Sequence, residues 1–296
     1  MSVFRYPGGK TRLLPNIRMF IDASIKCSGY NQFIDAFVGG GSVLCDVAMR
    51  HPNLKLVAVE ADDWVGSFWW MIATGEGEDE FFALLNCIPT VKQFMELRDT
   101  KPSNQAEKAF RAVFFNRTCF SGILTSGPIG GYKQTGEYKI HCRYNAINLL
   151  EEIKQLRLLL GQRLTVYIGS ALDVGLGLDG ALYCDPPYYD KGNGLYRIGF
   201  SKTEHNRLRD LLKDRQCWAL SYDDHEAIRK LYSDQSVFAL FERAARYSIE
   251  GAGRGSWNSK TELIVMPKGM GEYLESQNIG EGTWSQVTIG GLGYAK

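Results

Sequence analysis

Apolar and polar positions change rhythm several times along the chain. Residues 33–37 (FIDAF) and 55–60 (KLVAVE) are short, nearly unbroken apolar runs, as expected of strands covered on both faces. Between them a glycine-rich turn leads into a helical pattern at 42–50, and a Trp-rich helical stretch follows Glu60. This β-α-β-α order predicts parallel strands. Helical spacing then dominates at 104–117 and 145–160. Thr118–Tyr144 lies between these stretches, rich in Gly, Thr and Ser with interleaved aromatics, and predicts an irregular hairpin. Strand-like runs return at 164–168, 181–184, 217–222, 237–241 and 261–266, with helices near 203–214 and 224–232. The expected fold is α/β: a doubly wound, Rossmann-like sheet built from 1–64 and 161–296, interrupted by a mostly helical insert at 65–160.

The run at 181–184 ends abruptly in Asp185-Pro186-Pro187-Tyr188. Proline has no N–H to give a ladder, so the sheet stops there, and each proline holds the residue before it extended. A rigid carboxylate and an aromatic ring at the carboxyl end of a strand mark a ligand site in an open α/β sheet. A second constellation is Asp35, Phe37 and the Gly39-Gly40-Gly41 turn into a helix, with Glu60 closing the next strand. A backbone turn at a helix start and a carboxylate for a ribose diol fit a nucleoside cofactor. Leu44 stands where a dinucleotide fingerprint needs its third glycine, so this turn alone leaves cofactor binding and plain chain reversal both open.

Composition adds exclusions. No apolar run approaches the roughly 20 residues of a membrane span, and the first residues lack a signal-peptide core. A cytoplasmic protein with no membrane partner is expected. The seven cysteines are scattered without a CxxC, which predicts neither a metal site nor a disulfide framework. Net charge is only +1, yet residues 98–163 carry eleven Lys/Arg against five Asp/Glu, whereas 60–97 carry one against eight. One basic face toward phosphates fits this asymmetry.

With these motifs in order, the chain resembles the Dam-like DNA adenine-N6 methyltransferases, alpha class. FRYPGGK (4–10) is similar to that family's N-terminal GGK element, FVGGGSV (37–43) to its glycine turn, and DPPY to its catalytic motif. NRTCFSGIL (116–124) and GEYKIHCRYN (136–145) resemble its target-recognition hairpin, with Ser121 standing where Asn is common. The resemblance implies a methyltransferase sheet with an inserted target-recognition domain at 65–160, S-adenosylmethionine as cofactor, and double-stranded DNA as partner. It implies cofactor contacts from Tyr6, Gly8, Gly9, Lys10, Asp35, Phe37, Gly39, Gly41, Glu60, Asp173 and Asp185, with Leu172 and Asp173 lining the adenine pocket. Asp185, Pro186, Pro187 and Tyr188 become the catalytic residues. Arg117, Phe120, Ser121, Lys133, Tyr138, Lys139 and Arg143 are expected to meet DNA. A monomer or weak dimer is expected. His205 is expected on an exposed helix face.

The chemistry follows from the target. An adenine amine is a poor nucleophile because its lone pair is delocalised. Acceptors on its two hydrogens, the Asp185 carboxylate and the Pro186 carbonyl, would favour the charge that develops during transfer. Cytosine N4, an RNA adenine and a non-catalytic DNA-binding protein with this fold remain open at this point.

Overall fold

The computed structural model describes residues 3–5, 10, 13–189, 196–248, 257–276 and 285–287. Among the described residues eight strands form one sheet: β1 (Gln32–Asp35), β2 (Lys55–Glu60), β3 (Leu164–Ile168), β4 (Ala181–Cys184), β5 (Trp218–Asp223), β6 (Phe238–Ser248), β7 (Trp257–Pro267) and β8 (Ser285–Gln286). Their spatial order is β3-β2-β1-β4-β5-β7-β6-β8. β1 to β5 are parallel, while β7 runs antiparallel to both β5 and β6. Every residue of β4 is buried, as a central parallel strand requires. This bears out the expected doubly wound sheet.

The helices are α1 (Leu14–Ser28), α2 (Ser42–Arg50), α3 (Asp63–Thr74), α4 (Glu78–Leu85), α5 (Val91–Asp99), α6 (Gln105–Thr118), α7 (Ala146–Leu160), α8 (Lys202–Lys213), α9 (Glu226–Leu231) and α10 (Lys268–Ser276). Local chemistry sets several starts. Asp62 caps α3 by accepting from the Trp64 and Val65 amides, and Ser201 and Glu204 form a reciprocal capping box on α8. The insert helices share one continuous apolar cluster with one sheet face: Phe81, Phe94, Phe110 and Phe114 belong with Phe33, Leu56 and Ala181. The second face is covered separately by Leu208, Leu212, Trp218 and Tyr232.

The expected hairpin at 118–144 is instead a succession of turns. Among the described residues its one β-bridge joins Cys119 and Pro128. Side chains hold it in place of a ladder. Arg98 donates to the Leu124 and Ser126 carbonyls from below, its guanidinium 4.0 Å over the Phe115 ring. Gln134 donates to the Ile129 carbonyl at 2.8 Å and accepts from the Ile140 amide at 2.8 Å. Buried backbone groups need partners, and two long polar side chains supply them here.

Candidate active site

β1 and β4 are neighbours, but the chain leaves β1 toward β2 and β3 and leaves β4 toward β5. Their carboxyl ends therefore flank the crevice where open α/β sheets take ligands. Asp35 ends β1, Glu60 ends β2, and Asp185 follows β4. Three acidic residues thus converge on one sheet edge.

Asp35 is 2% exposed, and its Oδ1 has no hydrogen-bond partner among the described residues. Burial, then the nearby Asp185 charge, pushes its pKa up to about 8, with the Phe37 and Leu44 amides pulling the other way. Glu60 accepts from the Gly39 and Asp62 amides, each at 2.9 Å. Burial, then Asp62, nonetheless raises it to about 7. Asp185 is the paired acid. The Lys10 ammonium lies 2.8 Å from Asp185 Oδ1, the two side chains 2% and 24% exposed. Burial alone would depress the Lys10 pKa, but Asp185, then Tyr188, Glu262 and Tyr183, raise it well above its ordinary value. The Ser221 hydroxyl donates to the same Oδ1 at 3.0 Å and is itself 2.8 Å from the Tyr183 hydroxyl.

The glycine turn is fixed sterically. Gly41 has φ 68°, and a Cβ there would lie 2.3 Å from the Trp69 ring. Trp69 in turn donates its indole N–H to the Gly39 carbonyl at 2.9 Å. Only glycine fits both constraints. α2 begins on this turn without a side-chain cap. Phe37 stands beside it, edge-on to Phe200 with centroids 5.6 Å apart.

Aromatic rings line the β4 side. Tyr188 is half-buried with Lys10 5.6 Å from its ring centroid, and burial pushes its phenol up to about 12. Tyr196, which sequence reasoning missed, has its pKa raised by burial and then by Asp185 and Tyr188, so it belongs to the same neighbourhood. Its neighbour Arg197 reaches Asp62 at 2.6 Å and lies 3.8 Å over the Trp64 ring, tying this segment to the start of α3. Nothing in the spacing of a loop arginine signals such a partner. Tyr189 sits between the His205 and His225 rings, 4.9 Å from each centroid.

Other expectations need correction. His205 is buried, not exposed: its Nδ1 is 2.7 Å from the Tyr222 hydroxyl, and burial lowers its pKa to about 4. It is a neutral core imidazole. Arg117, expected on DNA, is only 14% exposed, donates to the Val3 carbonyl at 2.8 Å and faces Glu152 at 3.7 Å. Its charge is committed to the scaffold. The Lys139 ammonium donates to the Gln134 carbonyl at 2.6 Å, and Arg143 is half-buried with partners. Asp173 is exposed and pairs with Arg207 at 2.8 Å, while Leu172 is buried. Tyr6, Gly8 and Gly9 lie outside the described residues.

Phe120 (67% exposed), Tyr138, Ser121 and Lys133 do face solvent, joined by Tyr132. Ser121 adopts φ 55°, a left-handed conformation that Asn accommodates more readily than Ser. Asn116, buried beneath this turn, accepts from the Arg5 amide at 2.7 Å and donates to the carbonyls of Arg5 and Gly122. Gly122 presses so closely on Arg5 that a Cβ would lie 2.1 Å from its carbonyl oxygen. The exposed turn and the backbone of Arg5 are therefore bolted together.

Electrostatically the crevice holds three acidic residues, two of them, Asp35 and Glu60, with pKa raised to about 8 and about 7, and one buried ammonium. That suits a cationic ligand and disfavours a pyrophosphate. Among the described residues no group of His, Cys, Asp or Glu is arranged to hold a metal ion, and no helix is long and apolar enough to cross a membrane.

Known proteins resemble this chain over most of its length. Over 270 residues the chain is 24% identical to the type II methyltransferase M.CviBI of Paramecium bursaria Chlorella virus NC1A, spanning 89% of this chain and 98% of that one. Over 224 residues it is 24% identical to the type II methyltransferase M.MjaIII of Methanocaldococcus jannaschii, spanning 68% of this chain and 74% of that one. An rRNA methylase of Streptococcus thermophilus overlays 85% of this chain and 96% of its own at TM-score 0.34 and 10% identity, too loosely to carry weight beside the strand order. The model of D12 class N6 adenine-specific DNA methyltransferases matches residues 6–249, which contain the glycine turn, the insert and Asp185–Tyr188. The chain belongs to the D12 class N6 adenine-specific DNA methyltransferase family.

Proposed function

We propose that this adenine-N6 DNA methyltransferase uses S-adenosylmethionine, held across the carboxyl ends of β1 and β2, to methylate a flipped adenine that meets Asp185–Tyr188. The observation that carries the reading is the environment of Asp185. Lys10 and Ser221 both occupy Oδ1, which leaves Oδ2 as an acceptor beside the half-buried Tyr188 ring. The cofactor fits the acidic crevice because it is cationic. The unpartnered Asp35 Oδ1 suits a positively charged group, and Glu60 suits a ribose diol next to the Gly39–Gly41 turn. When bound, the cofactor supplies an electrophilic methyl group on a sulfonium. Asp185 and the Pro186 carbonyl then accept from the adenine amine, and Tyr188 stacks on the base, an interaction of ~1–3 kcal/mol. That is comparable with the few kcal/mol needed to unstack a base.

Residues 65–160 select the site in this reading, while 1–64 and 161–296 hold the chemistry. Phe120 or Tyr138 fills the space left by the extruded base, and Lys133 meets phosphate. The type II relatives favour a role beside a restriction enzyme. The test is to incubate the purified chain with labelled S-adenosylmethionine and unmodified plasmid, then digest the DNA to nucleosides. Label in N6-methyladenosine's deoxy form is expected for the parent and none for Asp185→Ala. Label in N4-methylcytosine, or equal turnover in the variant, refutes the assignment.

A further inference from the structure

We infer that Ser221, backed by Tyr183, is a positioning residue for methyl transfer, fixing the rotation of the Asp185 carboxylate so that Oδ2 faces the adenine amine. This rests on the reading of Asp185 as the amine acceptor. A carboxylate on a single methylene turns easily, because its terminal torsion is broad. The Lys10 ammonium is a compact charge with rotatable donors and tolerates many orientations of its partner. Ser221 adds a second, directional bond to the same oxygen at 3.0 Å.

Strand register explains why it is there. Leu182, Tyr183 and Cys184 of β4 face Trp218, Ala219 and Leu220 of β5, so the next step along brings Asp185 opposite Ser221. The direction of the hydrogen bonds is also fixed. An ionised carboxylate only accepts, so Ser221 spends its one proton on Asp185 and must accept from Tyr183. Tyr183 and Ser221 are both buried, and burial, then the Asp185 charge, keeps the Tyr183 phenol protonated as the donor. The chain Tyr183 to Ser221 to Asp185 therefore runs one way, from the core to the reacting face.

The test is steady-state kinetics on unmodified plasmid with labelled S-adenosylmethionine for Ser221→Ala, Ser221→Thr and Tyr183→Phe, with Asp185→Ala as reference. Ser221→Ala is expected to lower kcat about tenfold to a hundredfold, the cost of an acceptor held off its productive angle, with KM for DNA and cofactor affinity unchanged. Ser221→Thr, which keeps the hydroxyl, is expected to recover most of that loss. Tyr183→Phe is expected to lower kcat less and to add little on top of Ser221→Ala. If Asp185→Ala is inactive while Ser221→Ala turns over at the parental kcat, the positioning role is wrong and the acceptor reading stands. Equal losses in Ser221→Thr and Ser221→Ala, or a loss confined to KM, also overturn it. Turnover by Asp185→Ala refutes the acceptor reading itself.

Discussion

Cofactor binding is expected to tighten as pH rises from 6 to 8, and the Asp35→Asn variant should lose most of that dependence. With its pKa near 8, Asp35 is ionised in roughly one molecule in ten at pH 7 and one in a hundred at pH 6. A bound cation holds it ionised, so binding must expel that proton. Apparent affinity then gains about tenfold per pH unit below 8, about 1.4 kcal/mol, and levels off above it. Glu60, with a pKa near 7, adds a smaller release that ends about one unit lower. Isothermal titration with S-adenosylmethionine in two buffers of different ionisation enthalpy counts the protons directly. Subtracting the variant removes the ligand's own ionisation and that of Glu60. Release of close to one more proton at pH 7 by the parent than by Asp35→Asn is the expected result. At pH 9 the variant should bind more weakly by roughly 1.5–3 kcal/mol, the value of a hydrogen bond to a charged group. Identical pH slopes in the two proteins would refute the placement of a cation on Asp35.

Tyr188→Phe keeps a stacking ring and should retain measurable turnover, whereas Tyr188→Ala should lose about tenfold to a hundredfold in kcat/KM, from ~1–3 kcal/mol of lost stacking. Equal activity in the two would remove Tyr188 from the base site. Gly41→Ala must house a Cβ 2.3 Å from the Trp69 ring at φ 68°. Overpacking of about 1–3 kcal/mol plus backbone strain should lower the urea midpoint clearly, and an unchanged midpoint contradicts the turn geometry. Arg117→Ala should lower stability by about 1–3 kcal/mol, because it strands the Val3 carbonyl, and leave the salt dependence of DNA binding alone. Lys133→Ala should do the reverse, lowering the salt slope by about 1 at constant stability. The opposite pattern in filter-binding and unfolding measurements would return Arg117 to the DNA interface.

The parallel strands β1, β2, β4 and β5 could be read from the sequence because burial on both faces leaves a nearly unbroken apolar run, and Pro186 marks where the sheet must stop. The outer half of the β6/β7 pair was not legible. ERAARYS carries no apolar alternation, and its pairing with WNSKTEL is fixed by the backbone ladder. α1 has a usable signal in Ile17, Phe20 and Ile21 after Pro15, between the GGK element and the first strand. His205 also had one: with Leu208 and Leu212 it completes the buried stripe of α8. The acids at the strand ends were visible because each closes an apolar run. The Lys10–Asp185 pair spans the length of the fold, and no local pattern encodes it. The ties of Arg117 to Val3 and Glu152 were not legible, because residue type gives charge and not direction.

The clamp between Asn116, Arg5 and Gly122 has a consequence for how specificity can change. If the exposed turn meets DNA as proposed, it is not a detachable cassette, since Asn116 ties its Gly122 carbonyl to the backbone of Arg5. A graft of residues 119–131 from a relative with another target would bring a new turn against an old N-terminus. A mismatched pair disturbs the Asn116 clamp on Arg5 and Gly122, and the chimera is expected to lose stability as well as to change preference. Exchanging residues 3–5 and 116–131 together is expected to keep this clamp intact, so that two stretches more than a hundred residues apart in the chain act as one mechanical unit.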